Sequence, residues 1–343
     1  MLSRNIDAFQ KHELILNEKK PLRKPDLKTK QTVYITLKDV LPVIKSNFDD
    51  AEHYPLNDYE QINYSLRYSP RARVRFDHNA KIMDTEGFHV AVEMKHPRVR
   101  FGGVVECQSQ DDRLIFIQKE KLLIRVEAVE ILSGTRDNET DIKVHRLLKA
   151  DSNDMFDLEL FNSGHYQEIA RRKTDVDVLT EFLFQDVLDE ELELRLMQSY
   201  FLASAAIQDC IGQLSEAGFN TWEKLADKVE FFYDAETILV IPELIRILID
   251  EKELSWEIAY DTACRACRYK YHENPKFPVW PIDIFEKNLP RVYQIIHEAH
   301  KNFVNYINNH PSLKEQKCWI QLFAPLYDNQ VRAEQLQYLL TVA

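Results

Sequence analysis

The sequence is poor in glycine. Only 7 of the 343 residues are glycine, well below the share of about 7% in an average protein. Loops that hold a phosphate group need glycines where the backbone comes close to the ligand. Gly102 and Gly103 form the one adjacent pair, and the chain contains neither a GxGxxG motif nor a P-loop. The composition therefore excludes a nucleotide or phosphate site built on a glycine-rich loop.

Three further shortages exclude whole classes of protein. No run of about 18 apolar residues is present, so we expect no membrane span, and the first residues lack the apolar core of an export signal. Lys and Arg number 44 against 56 Asp and Glu, a net charge of -12, which argues against a nucleic-acid partner. The five cysteines are an odd number with no framework spacing, which is typical of a reducing, cytoplasmic compartment.

Two short motifs resemble metal sites without completing one. Cys264 and Cys267 form a CxxC pair, but a metal site usually needs a second pair or nearby histidines. Metal or redox chemistry stays open for this pair, and two small buried residues near a helix end are the favoured interpretation. His297 and His300 are spaced i, i+3, whereas zinc proteases use i, i+4. We expect no metal.

The chain divides into three stretches by composition. Residues 1–30 form a basic polar tail, with eight Lys or Arg and four Asp or Glu. Residues 31–150 are β-rich, because short alternating runs of Val, Ile and Phe are separated by turn residues. Residues 151–343 are helix-rich, and residues 31–343 are expected to form one compact domain.

Several helices are predicted from their own residues. Apolar residues recur at helical spacing for over twenty positions in ELELRLMQSYFLASAAIQDCIGQL. Ser255 is predicted to be the N-cap in the segment that begins SWEIAYD, and Pro290 predicts a kink or a restart in the last long helix. The segment FFYDAETILV reads as a strand before the next helix.

Four motifs carry a resemblance to a known family. FDLELFNSGHYQEIA (156–170), ELRLMQSYFLASAAIQD (193–209), IPELIRILIDEKELSWEIAYD (241–261) and WPIDIFEKNLPRVYQIIHEA (280–299) resemble, in order and spacing, motifs of the α-glucan phosphorylases. The resemblance covers Val99 to Ala343. It implies an α/β fold: part of the Rossmann-like N-terminal half of a two-domain glycosyltransferase, with β hairpins followed by a helix-rich body.

The resemblance also implies what this chain does not carry. The family binds pyridoxal phosphate through a lysine of its C-terminal half, and no match to that lysine motif is found here. We therefore expect no cofactor in this chain, no catalytic residue, and a truncated phosphorylase-like protein of glycogen, starch or maltodextrin metabolism that is inactive alone.

His272 matches a family histidine that faces the sugar, and Asp234 matches the aspartate of the family loop just before the IPEL helix. Both are predicted to contact an α-glucan, and the alternative for His272 is a partly exposed polar histidine in a loop. Their surroundings depart from the family pattern, because glutamates stand at positions 181, 236 and 273 and would repel phosphate. Nearby aromatic residues are interpreted as core rather than as a platform for sugar stacking.

Other roles remain open. The family's helix after the FNSGHY-like motif packs on the same helix of a second subunit, so a homodimer or a heterodimer with an intact phosphorylase is one possibility. The chain is then a non-catalytic regulatory subunit that binds glucan or phosphorylase. One half of a split glycogen phosphorylase is the other possibility. Residues 1–64 carry no family motif and could cover sheet edges.

Overall fold

The computed structural model describes about two thirds of the chain. The described residues are 27–37, 64–70, 74–76, 82–84, 90–92, 97–110, 113–133, 142–180, 182–184, 192–270, 276–309 and 324–339. Nearly all of the basic tail 1–30 therefore lies outside the described residues.

The strands are short, and most lie in the first half of the chain. They are β1 Gln31–Ile35, β2 Tyr64–Pro70, β3 Val74–Phe76, β4 Ile82–Asp84, β5 Val90–Val92, β6 Arg98–Phe101, β7 Val104–Gln110, β8 Arg113–Lys119, β9 Leu122–Ser133, β10 Ile142–Asp151, β11 Phe182–Phe184, β12 Val229–Tyr233, β13 Cys267–Tyr269, β14 Val279–Pro281, β15 Leu326–Tyr327 and β16 Gln330–Arg332.

The α-helices in the described part of the chain follow β10. They are α1 Leu158–Asn162, α2 Tyr166–Asp177, α3 Leu192–Glu216, α4 Val240–Asp250, α5 Trp256–Ala266, α6 Ile282–Asn288, α7 Pro290–Asn309 and α8 Ala333–Leu339. The chain has a mixed α/β fold, and its division into domains stays a prediction.

The main sheet joins a parallel and an antiparallel part. Its order is β13-β12-β1-β2-β10-β9-β5, with β6 also paired to β9. The five strands from β13 to β10 run parallel, and β9 pairs antiparallel with β10, β5 and β6. The expected hairpins are confirmed for β7–β8 and β9–β10. Strand β2, in contrast, lies between two parallel partners, β1 and β10.

The core lies on one face of the parallel strands. Val33 and Phe231 are opposite each other in register and fully buried. Helix α3 covers this face and is itself buried on most sides, with Phe201 and Ile207 inaccessible to solvent. A helix that is apolar nearly all round belongs in the interior, which explains the long apolar pattern of the α3 sequence.

Three local predictions can be compared with the structure. The Oγ of Ser255 accepts a hydrogen bond from the N–H of Ile258 at the start of α5, and Pro290 separates α6 from α7, so both predictions are confirmed. The strand predicted over FFYDAETILV is correct only as far as Tyr233, because Asp234 turns the chain there.

The aromatic residues near the candidate site lie mostly in the hydrophobic core. Tyr200, Phe201, Phe231, Trp280 and Phe285 are each at most 2% exposed. Such burial leaves no ring face for a sugar, so the interpretation of these residues as core is confirmed.

The turn between β6 and β7 requires glycine. Gly102 and Gly103 have φ values of 61° and 86°, a region that favours residues without a Cβ. A Cβ on Gly103 would lie 1.9 Å from the carbonyl O of Lys119. The β7–β8 hairpin that follows is held on α7, where the Arg291 guanidinium lies 3.7 Å from the ring centroid of Phe116.

Within the described part of the chain, none of the helices is long and apolar enough to cross a membrane.

Candidate substrate site

Asp234 lies at the carboxyl end of β12. It is 4% exposed and begins the loop that leads to α4. Its neighbours are the ends of β1 and β13, because both strands run parallel to β12. Ligands of open parallel sheets bind at this edge, so the position suits a substrate contact.

The Asp234 carboxylate is engaged by its own loop. Its Oδ1 accepts hydrogen bonds from the backbone N–H groups of Glu236 at 3.0 Å and Thr237 at 3.1 Å. Its Oδ2 accepts from the hydroxyl of Thr36 at 2.9 Å. The Thr237 hydroxyl lies 3.0 Å from Oδ1 and from the carbonyl O of Ile35. The carboxylate therefore fastens the end of β12 to the end of β1.

Glu236 occupies the position where the resembling family has a histidine. Its carboxylate forms an ion pair with Arg195 of α3, and its carbonyl O accepts a hydrogen bond from the Ser199 hydroxyl. The Arg195 charge offsets the negative charge that the sequence placed here. Glu236 consequently ties the loop to α3 and adds less repulsion than the sequence suggested. Positions 181 and 273 lie outside the described residues.

His272 also lies outside the described residues, which stop at Lys270 and resume at Lys276. The described flank is informative. The backbone N–H of Lys270 donates to the carbonyl O of Tyr233 at 2.7 Å, and Tyr233 directly precedes Asp234. Lys270, the last described residue before His272, therefore lies next to the start of the Asp234 loop. The predicted sugar contacts of both residues stay predictions.

Two buried polar networks beneath the sheet were not anticipated from the sequence. In the first, Asp209 of α3 accepts from the Tyr68 hydroxyl at 2.5 Å and pairs with Arg146. Burial, and then the Asp209 charge, raise the pKa of Tyr68 well above its usual value. The sequence feature that could have revealed this network is Asp209, an acidic residue inside an apolar helix, because a buried charge needs a partner.

The second network joins α3 to α4. Glu243 is fully buried and accepts from the Tyr200 hydroxyl at 2.9 Å and the Ser204 hydroxyl at 2.6 Å. Arg246 donates to both of its oxygens at 2.8 Å. All of these groups come from the motifs at 193–209 and 241–261, so these family-like motifs bring together a structural network.

The cysteine pair is placed as its favoured interpretation requires. Cys264 is half-buried near the end of α5, and Cys267 is buried at the start of β13. Burial raises the pKa of Cys264 to about 11 and raises the pKa of Cys267 as well. Among the side chains that the structure describes, no group of three His, Cys, Asp or Glu forms a candidate metal site.

Comparison with known proteins agrees with the motifs. A family model described as carbohydrate phosphorylase matches residues 78–342. The chain belongs to the carbohydrate phosphorylase family. The match begins after β3, so β1 and β2 precede it. The matched region contains the Asp234 loop and His272. It also contains every residue of the two buried networks except Tyr68.

The individual proteins to which the chain is similar are also phosphorylases. The chain is similar to the glycogen phosphorylase of Pasteurella multocida (strain Pm70), with 32% identity over 222 residues, 64% of this chain and 26% of that protein. It is 30% identical over 220 residues to the muscle form of glycogen phosphorylase from Ovis aries and from Homo sapiens. The matched region is 61% of this chain and 26% of each of those enzymes. The chain thus spans about a quarter of these relatives.

Proposed function

We propose that this chain is a phosphorylase-family protein of α-glucan metabolism that does not catalyse phosphorolysis alone. The observation that carries the proposal is the Asp234 loop. Its carboxylates are engaged by Thr36, by its own backbone and by Arg195, whereas a sugar site needs polar groups that pair with the ligand.

A phosphorolysis assay tests the proposal. The pure chain is incubated with glycogen, inorganic phosphate and added pyridoxal phosphate, and glucose 1-phosphate is measured. We expect no release above the blank, while an intact muscle glycogen phosphorylase gives product under the same conditions. Product formed by the pure chain would contradict the proposal.

Residual glucan binding is a separate part of the proposal and is assigned to His272, because the Asp234 carboxylate is already engaged by Thr36 and by its own loop. We expect glycogen to retard the chain in affinity electrophoresis, and we expect H272A to lose that retardation. D261N is a matched control, because Asp261 is exposed on α5. Equal retardation of H272A and the unaltered chain would remove His272 from the proposed site.

A regulatory role through a protein partner is the alternative, and one surface favours it. Four side chains around the FNSGHY motif form an exposed aromatic corner: Phe156, Leu158, Phe161 and Tyr166. They are between 44% and 62% exposed, and the ring centroid of Phe161 lies 5.6 Å from that of Phe156 and 5.2 Å from that of Tyr166. Clustered apolar side chains on a surface mark interaction sites. We propose that this corner docks a second copy of the chain or an intact phosphorylase.

Light scattering and co-elution with muscle glycogen phosphorylase test the corner. The double variant F161S/Y166S is expected to lose whichever association the unaltered chain shows. I258S is the control, because Ile258 is similarly exposed, at 45%, on a different helix. A chain that is monomeric and fails to co-elute would rule out the regulatory alternative. Restored phosphorolysis on mixing with a separately produced C-terminal phosphorylase half would instead favour a split enzyme.

A further inference from the structure

The loop that follows β12 is held in place by contacts of two different kinds. Two of its residues, Asp234 and Thr237, are hydrogen-bonded to the end of β1. Glu236 is attached to helix α3 instead, by an ion pair of its carboxylate and by a hydrogen bond to its carbonyl O. Asp234 and Thr237 are both buried, whereas Glu236 is half-buried. The contact with α3 is therefore the one that solvent reaches.

Two donors on α3 bind Glu236 together. The Arg195 guanidinium pairs with its carboxylate, and the Ser199 hydroxyl donates to its carbonyl O. Residues four apart on a helix lie on the same face, so both donors serve one place. Arg195 also lies in the first turn of α3, where the positive end of the helix dipole favours an anion. We call Arg195 and Ser199 the donor pair.

The ion pair at Glu236 is more accessible than the structural ion pair between α3 and α4. The side chains of Arg195 and Glu236 are 12% and 29% exposed. In the pair between Arg246 and Glu243 the values are 7% and 0%. An ion pair that water reaches contributes less to stability than the loss of a buried partner costs. The Glu236 carboxylate can therefore leave Arg195 without unfolding the chain.

The other carboxylates on these elements are already engaged. The Asp234 carboxylate accepts hydrogen bonds from the backbone of its own loop. Glu193, two residues before Arg195, accepts from the Lys287 ammonium at 2.8 Å. Because these two negative charges are offset, Arg195 keeps its attraction for an anion when Glu236 withdraws.

We propose that the donor pair is a binding site for a phosphate group and that Glu236 closes it as an internal competitor. A guanidinium and a hydroxyl suit a phosphate group, which offers several acceptor oxygens and can be bound by arginine through two parallel hydrogen bonds. Glu236 supplies a carboxylate and a carbonyl O in its place. The closed site rests on the proposed function, a chain without phosphorolysis, and is one cause of it, because an occupied donor pair does not bind phosphate.

Isothermal titration calorimetry tests the closed site on the full chain. The unaltered chain and E236A are each titrated with inorganic phosphate and with glucose 1-phosphate at constant ionic strength. We expect E236A to bind about tenfold more tightly than the unaltered chain, the gain from one charge-assisted hydrogen bond. A gain for both ligands identifies the phosphate group as the recognised part, and a gain for one of them identifies the source. No gain for either ligand would overturn the proposal.

Two further variants decide whether the gain belongs to the donor pair. R195M/E236A is expected to lose the gain, and a gain that persists in this variant would overturn the proposal. E168A is the matched control, because it removes a carboxylate from Arg171 and Arg172 on the exposed surface of α2. An equal gain in E168A would also overturn the proposal, since it would reflect net charge alone.

The result is separable from that of the phosphorolysis assay. E236Q keeps the size of the side chain without its charge, so it is titrated beside E236A and is expected to gain affinity in the same direction. Product formed by the unaltered chain would contradict the proposed function whatever the calorimetry shows. Folded E236A and E236Q that both bind phosphate no better than the unaltered chain would overturn the closed site alone.

Discussion

The interface between α3 and α4 and the aromatic corner at α1 and α2 both come from family-like motifs, but they differ in what they leave available. At the interface, the buried Glu243 is bonded to Tyr200, Ser204 and Arg246, so its polar groups face one another. At the corner, Phe161 is 44% exposed. A family-like motif therefore does not by itself indicate a function. The burial of its side chains shows which of them are still accessible to a partner.

The largest predicted effect is the loss of stability when the interface between α3 and α4 is disrupted. E243A removes the carboxylate and leaves the Arg246 charge buried without its main partner. Loss of one member of a buried ion pair costs about 3–5 kcal/mol, and we expect that loss in the free energy of unfolding measured with urea. A change close to zero would mean that the interface opens to water.

A surface ion pair serves as the control for E243A. Glu168 accepts from Arg171 and Arg172 along α2, and the hydrogen bonds from Arg172 and then Arg171 lower the pKa of its carboxyl. Because exposed pairs contribute little to stability, E168A should unfold at nearly the same urea concentration as the unaltered chain. A large fall in both variants would remove the contrast between interior and surface.

The next prediction compares how much Asp209 and Tyr68, two members of the Asp209 network, contribute to stability. D209N removes the carboxylate charge that pairs with Arg146, which is 1% exposed, and is expected to cost about 3 kcal/mol. Y68F deletes one hydroxyl and should cost about 1–2 kcal/mol. Urea unfolding of both variants gives the order, and a larger loss for Y68F would assign the stability to the tyrosine hydrogen bond.

The elements that the sequence predicted well are those whose cause is local. The apolar spacing of α3, the Ser255 cap and the break at Pro290 depend on neighbours in the chain. The parallel position of β2 could not be predicted, because it depends on pairing with β1 and β10 across distant sequence. The partners of Glu236 follow the same rule, since Arg195 lies 41 residues away. The sequence located Asp234, but its hydrogen bonds needed the structure.

The third prediction concerns the exposed aromatic corner. F161S/Y166S should leave the free energy of unfolding within about 1 kcal/mol of the unaltered chain, because surface changes are usually small. Association should nevertheless be lost. Urea unfolding and light scattering on the same samples separate the two effects, and a large loss of stability would mean that the corner belongs to the fold.

Cysteine reactivity gives a smaller contrast of the same kind. Because burial raises the pKa of Cys264 to about 11, little reactive thiolate forms near pH 8. Cys107 is exposed and should be alkylated by iodoacetamide well before Cys264 and Cys267. Peptide mass mapping over time measures the order. Rapid labelling of Cys264 would instead support the redox interpretation of the CxxC pair.

The smallest predicted effect is a pH dependence at α7. His300 is half-buried, and its Nδ1 is buried with no hydrogen-bond partner among the described residues. Burial, and then the charges of His297 and Arg332, lower its pKa. The unfolded chain therefore binds a proton more readily below about pH 6.5, and stability should fall as the pH drops through that value. H300Q stays neutral, so its urea midpoint should fall less than that of the unaltered chain between about pH 7.5 and pH 5.5. Equal falls would show that other groups set the pH dependence.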